Sequence, residues 1–263
     1  MSAAALPFRS RLIELRRFAL LGLGLIGWEL LARSGLVSPI IFPSLGKILS
    51  EFGLLLVRVE PLTEAWYSLY RALGGFLLAV GVGVLAGTVM GRSTLMARLL
   101  DPLLSGTYPI PKIALFPIFI FVFGIGSLAK ISLVFLECLY PIVITTYYGT
   151  RAVNRVLVWS ARNMGASPRQ VLFRIVVPAA APFIFAGFRV ALPIAMIVVI
   201  ITEMIGSADG LGYLVIYSMA SLKTDRMLAA VLVIALLGLL LDRLLLVVRD
   251  RLVFWEKQES YYT

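Results

Sequence analysis

Apolar residues in this chain come in long runs, broken by short polar stretches rich in arginine. A bilayer's hydrocarbon core takes about 20 residues of helix. Six runs approach that length: Phe18 to Ala32, Trp66 to Met90, Leu103 to Phe123, Ser127 to Tyr148, Phe183 to Ile205 and Met227 to Val248. They predict an all-α membrane protein of about six transmembrane helices. The third run holds Pro109, Pro111 and Pro117, so its helix must be kinked or begin late, and neighbouring helices must meet the carbonyls that proline leaves unpaired. Between the first two runs, Pro43-Ser44-Leu45 reads as a helix start. Leu45, Ile48, Leu49, Phe52, Leu55 and Leu56 then recur at helical spacing, which predicts an amphipathic helix lying on the outer leaflet.

The polar breaks set an orientation. With both termini in the cytoplasm, the inside segments hold Arg9, Arg11, Arg16, Arg17, Arg92, Arg98, Arg151, Arg155, Arg162, Arg169, Arg174, Arg249, Arg251 and Lys257. The outside segments then hold only Lys47, Arg58, Lys130, Lys223 and Arg226. Basic residues are retained on the cytoplasmic side, so this bias favours that orientation. Trp28, Trp66, Tyr67, Tyr108, Tyr147, Tyr148, Tyr213 and Trp255 fall near run ends, where amphipathic rings anchor at headgroup depth.

Composition agrees. Of 263 residues, 60% are hydrophobic, against about 45–50% in soluble domains, and the mean hydropathy is +0.98. The net charge of +10 follows from the retained arginines and calls for no nucleic acid. Histidine is absent and Cys138 is the one cysteine, which excludes imidazole relays, histidine metal ligands and an intrachain disulfide. The basic Met1 to Arg17 segment superficially resembles a signal peptide, but without a convincing small-residue cleavage site it reads as leading into a retained first helix. There is no internal repeat. Extramembrane segments of about 30 residues at most are too short for a core of their own, so residues 1–263 read as a single transmembrane domain.

The break over residues 151–182 has its own local code. It carries Arg151, Arg155, Arg162, Arg169 and Arg174 and no acid, so it is expected in the cytoplasm. Gly165 suits the positive φ of a helix end. Ser167 as N-cap, Pro168 at the first helical position and Gln170 two positions on restart a short helix. Pro178 and Pro182 are expected to end it and return the chain to the membrane. The prediction is helix, break, helix: a rigid projection able to transmit displacement, or simply a well-capped loop.

Ionisable groups inside spans cost roughly 2.5–3.5 kcal/mol on insertion scales, so Lys112, Glu137, Arg189 and Glu203 are expected to face protein or water. Glu137 reads as pairing with Arg189 or Lys112 in preference to contacting a solute. Arg189 suits either an oxyanion, through its planar fork of donors, or a gate or helix anchor. Glu203, followed by Gly206, Gly210 and Gly212, reads as an outer gate or receptor-facing segment, or as a plain polar turn. Gly74, Gly75, Gly81, Gly83, Gly87 and Gly91 in the second run predict close helix packing.

The stretch Ser160-Ala161 through Gly165, Ala166, Ser167, Pro168 and Arg169 to Ile175 and Pro178 resembles the cytoplasmic signature loop of binding-protein-dependent ABC importer permeases. The family pattern is Glu-Ala-Ala, three residues, Gly, nine residues, Ile, one residue, Leu-Pro. Gly165, Ile175 and Pro178 keep that spacing, whereas Trp159 stands where the family often has Glu and Val177 replaces Leu. Pro111-Lys112-Ile113-Ala114-Leu115-Phe116-Pro117, Phe123-Gly124-Ile125-Gly126 with Lys130-Ile131, and Gly210-Leu211-Gly212-Tyr213 after Glu203 are similar to the nitrate, sulfonate and taurine group.

The resemblance implies a non-catalytic permease subunit of the inner membrane, conducting a small solute such as nitrate, a sulfonate or taurine. It also implies two ATPase subunits docked near Ala166 to Arg174, a second permease subunit forming a homodimer, and an extracytoplasmic solute-binding protein. ATP and Mg would reside on the ATPases; Leu45-Gly46-Lys47-Ile48 lacks both the upstream glycine and the Ser or Thr of a phosphate loop. A thiamine-type pyrimidine is an alternative solute. From other classes, an ion-coupled secondary transporter would use Glu137 and Arg189 as coupling residues, and a scaffold would use only the basic loop.

Overall fold

The computed structural model describes residues 6–256, with side chains from residue 19 onward. Arg9, Arg11, Arg16, Arg17 and Lys257, used above for orientation, have side chains outside that description. Eleven α-helices follow one another, and no strand occurs among the described residues. They are α1 (Leu6–Arg33), α2 (Leu45–Val57), α3 (Val59–Arg92), α4 (Thr94–Thr107), α5 (Phe116–Phe123), α6 (Ser127–Ala152), α7 (Arg155–Asn163), α8 (Pro168–Val171), α9 (Val177–Gly206), α10 (Leu211–Ala220) and α11 (Thr224–Leu252). A 3-10 turn, Lys112–Leu115, precedes α5, and a π turn, Leu172–Val176, joins α8 to α9.

Four stretches are long and apolar enough to cross a membrane unbroken: α3, α6, Pro168–Gly206 and α11. Among the described residues a further apolar passage is a pair, Thr94–Thr107 with Lys112–Phe123, bent by 86° at the break between them. The expected kink is therefore present, and helix starts nine residues earlier than the predicted run, at a Ser93 cap that accepts from Met96 N–H at 3.3 Å. Phe18 to Ala32 lies inside α1, which runs from Leu6 to Arg33.

Contacts sort the chain into two compact units, one of the described residues up to Leu62 with Leu214–Val233, the other of Thr63–Tyr213 with the described residues from Ile234 onward. In the first, the Glu29 carboxylate accepts from Leu45 N–H at 2.8 Å and so caps α2, while Ser44 makes no side-chain cap. Trp28 stacks on Phe42 at 4.1 Å and donates to Pro43 O at 3.1 Å. Of the predicted apolar face of α2, Ile48 and Leu55 are buried, whereas Leu49 and Leu56 stay exposed.

The second unit has its core among α3, α6 and α9, around Ala72, Ala79, Leu133, Cys138, Ile142, Ala195 and Val199. Glycine makes this possible. A Cβ on Gly75 would fall 2.6 Å from Val134 Cβ, and one on Gly83 would fall 2.7 Å from Ile142 Cγ2. Gly87 and Gly91 meet Thr146 and Thr150 in the same way, so one stripe of α3 lies backbone-close to α6. Gly81 has nothing near it and takes no part in this packing.

Candidate functional site

Two clusters at different places in the second unit, and a bend between them, collect most of the predicted polar residues. The first is residues 153–184. Asn154 caps α7 by accepting from Val156 N–H at 2.9 Å. The helix ends in a glycine-based reversal: Gly165 takes φ +84°, Ala166 N–H donates to Ala161 O at 3.0 Å and Gly165 N–H to Arg162 O at 2.9 Å, the paired bonds of a Schellman motif. The next residue starts α8 with a complete capping box. Ser167 Oγ accepts from Gln170 N–H at 3.3 Å, and Gln170 Oε1 accepts from Ser167 N–H at 2.8 Å.

Val153, Val158, Ala161, Val171, Val176, Ala180 and Ile184 bury one another, with Ala166 and Ile175 packed alongside. This fastens α7 and α8 to the start of α9. Pro178 and Pro182 do not end a helix here, contrary to the sequence expectation. The chain turns from α8 into α9 through the π turn, in which Val177 N–H reaches Leu172 O, and the wider turn absorbs the donor missing at Pro178. Ser160, Gly165, Ser167, Pro168 and Arg169 lie on the exposed side. Beside them Trp159, Met164 and Phe173 are 58%, 81% and 68% exposed, an apolar surface edged by Arg162 and Arg169. Sequence reasoning noted Trp159 only as a departure from a pattern and missed Met164 and Phe173.

The bend between α4 and α5 holds Lys112. Pro109 and Pro111 cannot donate, so helical pairing stops here, and two carbonyls of the break take a side-chain donor from Lys112. Its Nζ donates to Tyr108 O at 3.2 Å and Ile110 O at 3.4 Å and lies 4.1 Å from the Tyr140 ring centroid. The Tyr140 hydroxyl bonds Thr107 Oγ1 at 2.7 Å and so ties the bend to α6.

The second cluster surrounds Glu203, which is 1% exposed. Its Oε1 accepts from Arg71 Nη1 at 2.8 Å. Its Oε2 accepts from Ser68 Oγ at 2.7 Å and Gly212 N–H at 3.1 Å. Arg71 also holds Asp209 through Nη2 at 2.6 Å and donates from Nε to Ser127 at 3.0 Å. Leu211 N–H donates to Ser68, and Gly210 N–H to the Glu64 carboxylate. The loop can approach only because Gly210 adopts φ +97°, where a Cβ would overlap the Glu203 carboxyl. Glu203 is thus placed in a closed ion-pair network and not against open space. Burial raises the Asp209 pKa, but hydrogen bonds from Arg71 and Ser207 outweigh it and hold the carboxyl below its ordinary value. Lys130, assigned above to an external loop, is 2% exposed beside this network.

The expected pairing of Glu137 is not formed. Arg189 instead sits 3.5 Å from Asp242 of α11, and Lys112 is occupied by carbonyls. Glu137 is half-buried in α6 and makes no ion pair among the described residues. The polar residues of the spans therefore do not converge on one site. Arg71 was missed, though an arginine within the Trp66 to Met90 run was the available signal.

Residues 79–253 match the family described as binding-protein-dependent transport system inner membrane component. The chain is 31% identical over 228 residues to a Bacillus subtilis permease protein named for aliphatic sulfonates transport, covering 87% of this chain and 83% of that one. It is 31% identical to the taurine transport system permease protein of Escherichia coli, covering 87% and 85%. It is also 31% identical to the formylaminopyrimidine transport permease protein of Halalkalibacterium halodurans, covering 70% and 74%. In fold it is similar to a chain of a methionine ABC transporter in an inward facing conformation, with a TM-score of 0.61 and 20% identity, covering 76% of this chain and 95% of that one.

Proposed function

Because the chain belongs to the binding-protein-dependent transport system inner membrane component family, it is a non-catalytic, membrane-embedded permease subunit of an ABC importer, and we propose that α7 and α8 are the surface on which a separate ATPase acts. The observation that carries this reading is the doubly capped reversal at Gly165 to Gln170, clamped onto the start of α9. A floppy loop would dissipate the displacement of a partner; a capped helix buried against the root of a crossing passes it on. Trp159, Met164 and Phe173 supply the apolar area a docked partner would cover, and Arg162 and Arg169 supply its charged edge.

In this reading the 151–182 segment is cytoplasmic and two ATPases, carrying ATP and Mg, dock on a homodimer of this chain. An extracytoplasmic binding protein meets the opposite side, near the loop fixed by Arg71 and Glu203. ATP-driven closure favours an outward-open arrangement and hydrolysis resets it. The partners must bind the two arrangements with different affinity, since equal affinity shifts nothing. The solute is an oxyanion such as a sulfonate, taurine or nitrate, in keeping with relatives named for sulfonates and taurine. A formylaminopyrimidine is the second reading, favoured by one relative's name.

Uptake into vesicles containing the reconstituted assembly tests both. ATP-dependent uptake of labelled taurine or an alkanesulfonate, competed by the other and not by a formylaminopyrimidine, is the expected result. The reverse competition order replaces the solute. Uptake that persists without the ATPase overturns the coupling and favours an ion-driven carrier.

A further inference from the structure

Where α3 ends, α4 begins and α6 ends, the second unit has a cavity of about 610 Å³ lined by Arg92, Arg98, Arg151 and Arg155, with Asp101 as the one acid. The lining carries a net charge of +3. Arg92, Arg98 and Arg155 form no ion pair among the described residues. Arg151 donates to the Tyr147 hydroxyl and stands 5.7 Å from its ring centroid. Three guanidiniums on one cavity without a carboxylate each are positioned for an anion from outside the chain.

The cavity does not end there. A second one, of about 390 Å³, shares Met90, Asp101 and Tyr147 with it and runs along α4 and α6 past Leu104, Val143 and Ile144. A third, of about 220 Å³ and almost wholly apolar, again shares Met90. Charge at one end and hydrocarbon beyond it is the profile of an amphiphile, and a free anion would have no use for the apolar part. Tyr147 lines both of the larger cavities and Tyr148 the second, and tyrosines near the ends of spans sit where headgroups meet acyl chains. We infer that the groove between α4 and α6 binds an anionic glycerophospholipid, its phosphate among Arg92, Arg98, Arg151 and Arg155 and an acyl chain along Leu104 and Val143. Basic pockets between transmembrane helices are suited to such headgroups. The site borders the α6 end that leads to α7, so an occupied groove would brace the segment assigned to the ATPase. The binding itself does not depend on that assignment.

Native mass spectrometry of the full-length chain, with whatever subunits copurify, tests this after exchange into micelles containing equal parts of phosphatidylcholine and phosphatidylglycerol. The expected result is retention of phosphatidylglycerol over phosphatidylcholine. R98Q/R155Q should weaken it roughly thirtyfold, from about a fivefold to sixfold loss per guanidinium. R58Q, on the other unit, should leave it unchanged, and a bulky L104W should weaken it with every arginine intact. Inorganic phosphate or glycerol phosphate should not displace the lipid. Displacement by either would make this a free-anion site, and equal retention by wild type and R98Q/R155Q would remove the site altogether. Loss of a copurified ATPase or second copy from R98Q/R155Q, with lipid still bound, would assign the arginines to a subunit interface. A circular dichroism melt of each variant separates misfolding from lost binding. If the chain transports without an ATPase, the lipid result stands or falls unchanged.

Discussion

Arg71 and Glu203 are almost wholly enclosed, with side-chain exposures of 3% and 0%, so each is the other's main answer to desolvation. Replacing Arg71 by Met leaves a buried carboxylate unpaired and should cost about 3–5 kcal/mol. R71M/E203Q should recover part of that, which thermal unfolding in detergent would register as a double variant more stable than R71M alone. Asp209 gives a pH signature. Its folded pKa is depressed, so its contribution is present above the ordinary Asp value and is lost as pH falls through the lowered folded value. Melting temperature should drop on acidification below about pH 4, and D209N should flatten that drop. The glycines separate just as sharply. Gly75→Ala should cost about 1–3 kcal/mol by overpacking against Val134, whereas Gly81→Ala, with open space around it, should gain about 0.5–1 kcal/mol of helix propensity. A span's glycines can be read from the chain, but which of them touch a neighbour depends on helix rotation. Arg71 and Glu203 are 132 residues apart, and no local pattern links them.

Elements whose signals are local were legible. Ser167, Pro168 and Gln170 encode the start of α8 within four residues, and Gly165 encodes the end of α7 through one backbone angle, so the helix-break-helix form followed from capping rules alone. Ser167→Ala should weaken α8 by about 1 kcal/mol. In the reconstituted assembly this should lower solute-stimulated ATP hydrolysis more than basal hydrolysis, since the projection softens while the ATPase is untouched. Equal loss of both would argue against a transmitting role. The π turn after α8 was not legible, because it answers the packing of Val171, Val176 and Ala180 together with the donor missing at Pro178. The bend at Pro109 and Pro111 was foreseen as a kink. Its 86° angle, and the use of Lys112 to satisfy its carbonyls, depend on how Tyr140 and Thr107 meet.

For the whole molecule, hydrophobic length and arginine spacing were enough to read a multi-crossing membrane protein, because the bilayer imposes both. They did not foretell how the proline-containing passage is built, as a pair of helices bent by 86°. Nor did they locate a solute site: Lys112, Glu137, Arg189 and Glu203 looked alike as ionisable groups in apolar runs, yet each meets a different environment. The central claim is that α7 and α8 carry the motion of a separate ATPase to α9. It is tested most directly by cross-linking in native membranes from R169C, in which the natural Cys138 is buried. A cross-link from position 169 to the ATPase subunit, with a yield that changes on adding ATP, is the predicted result. No cross-link to the ATPase, with position 169 labelled by an impermeant thiol reagent from the external face, would contradict it.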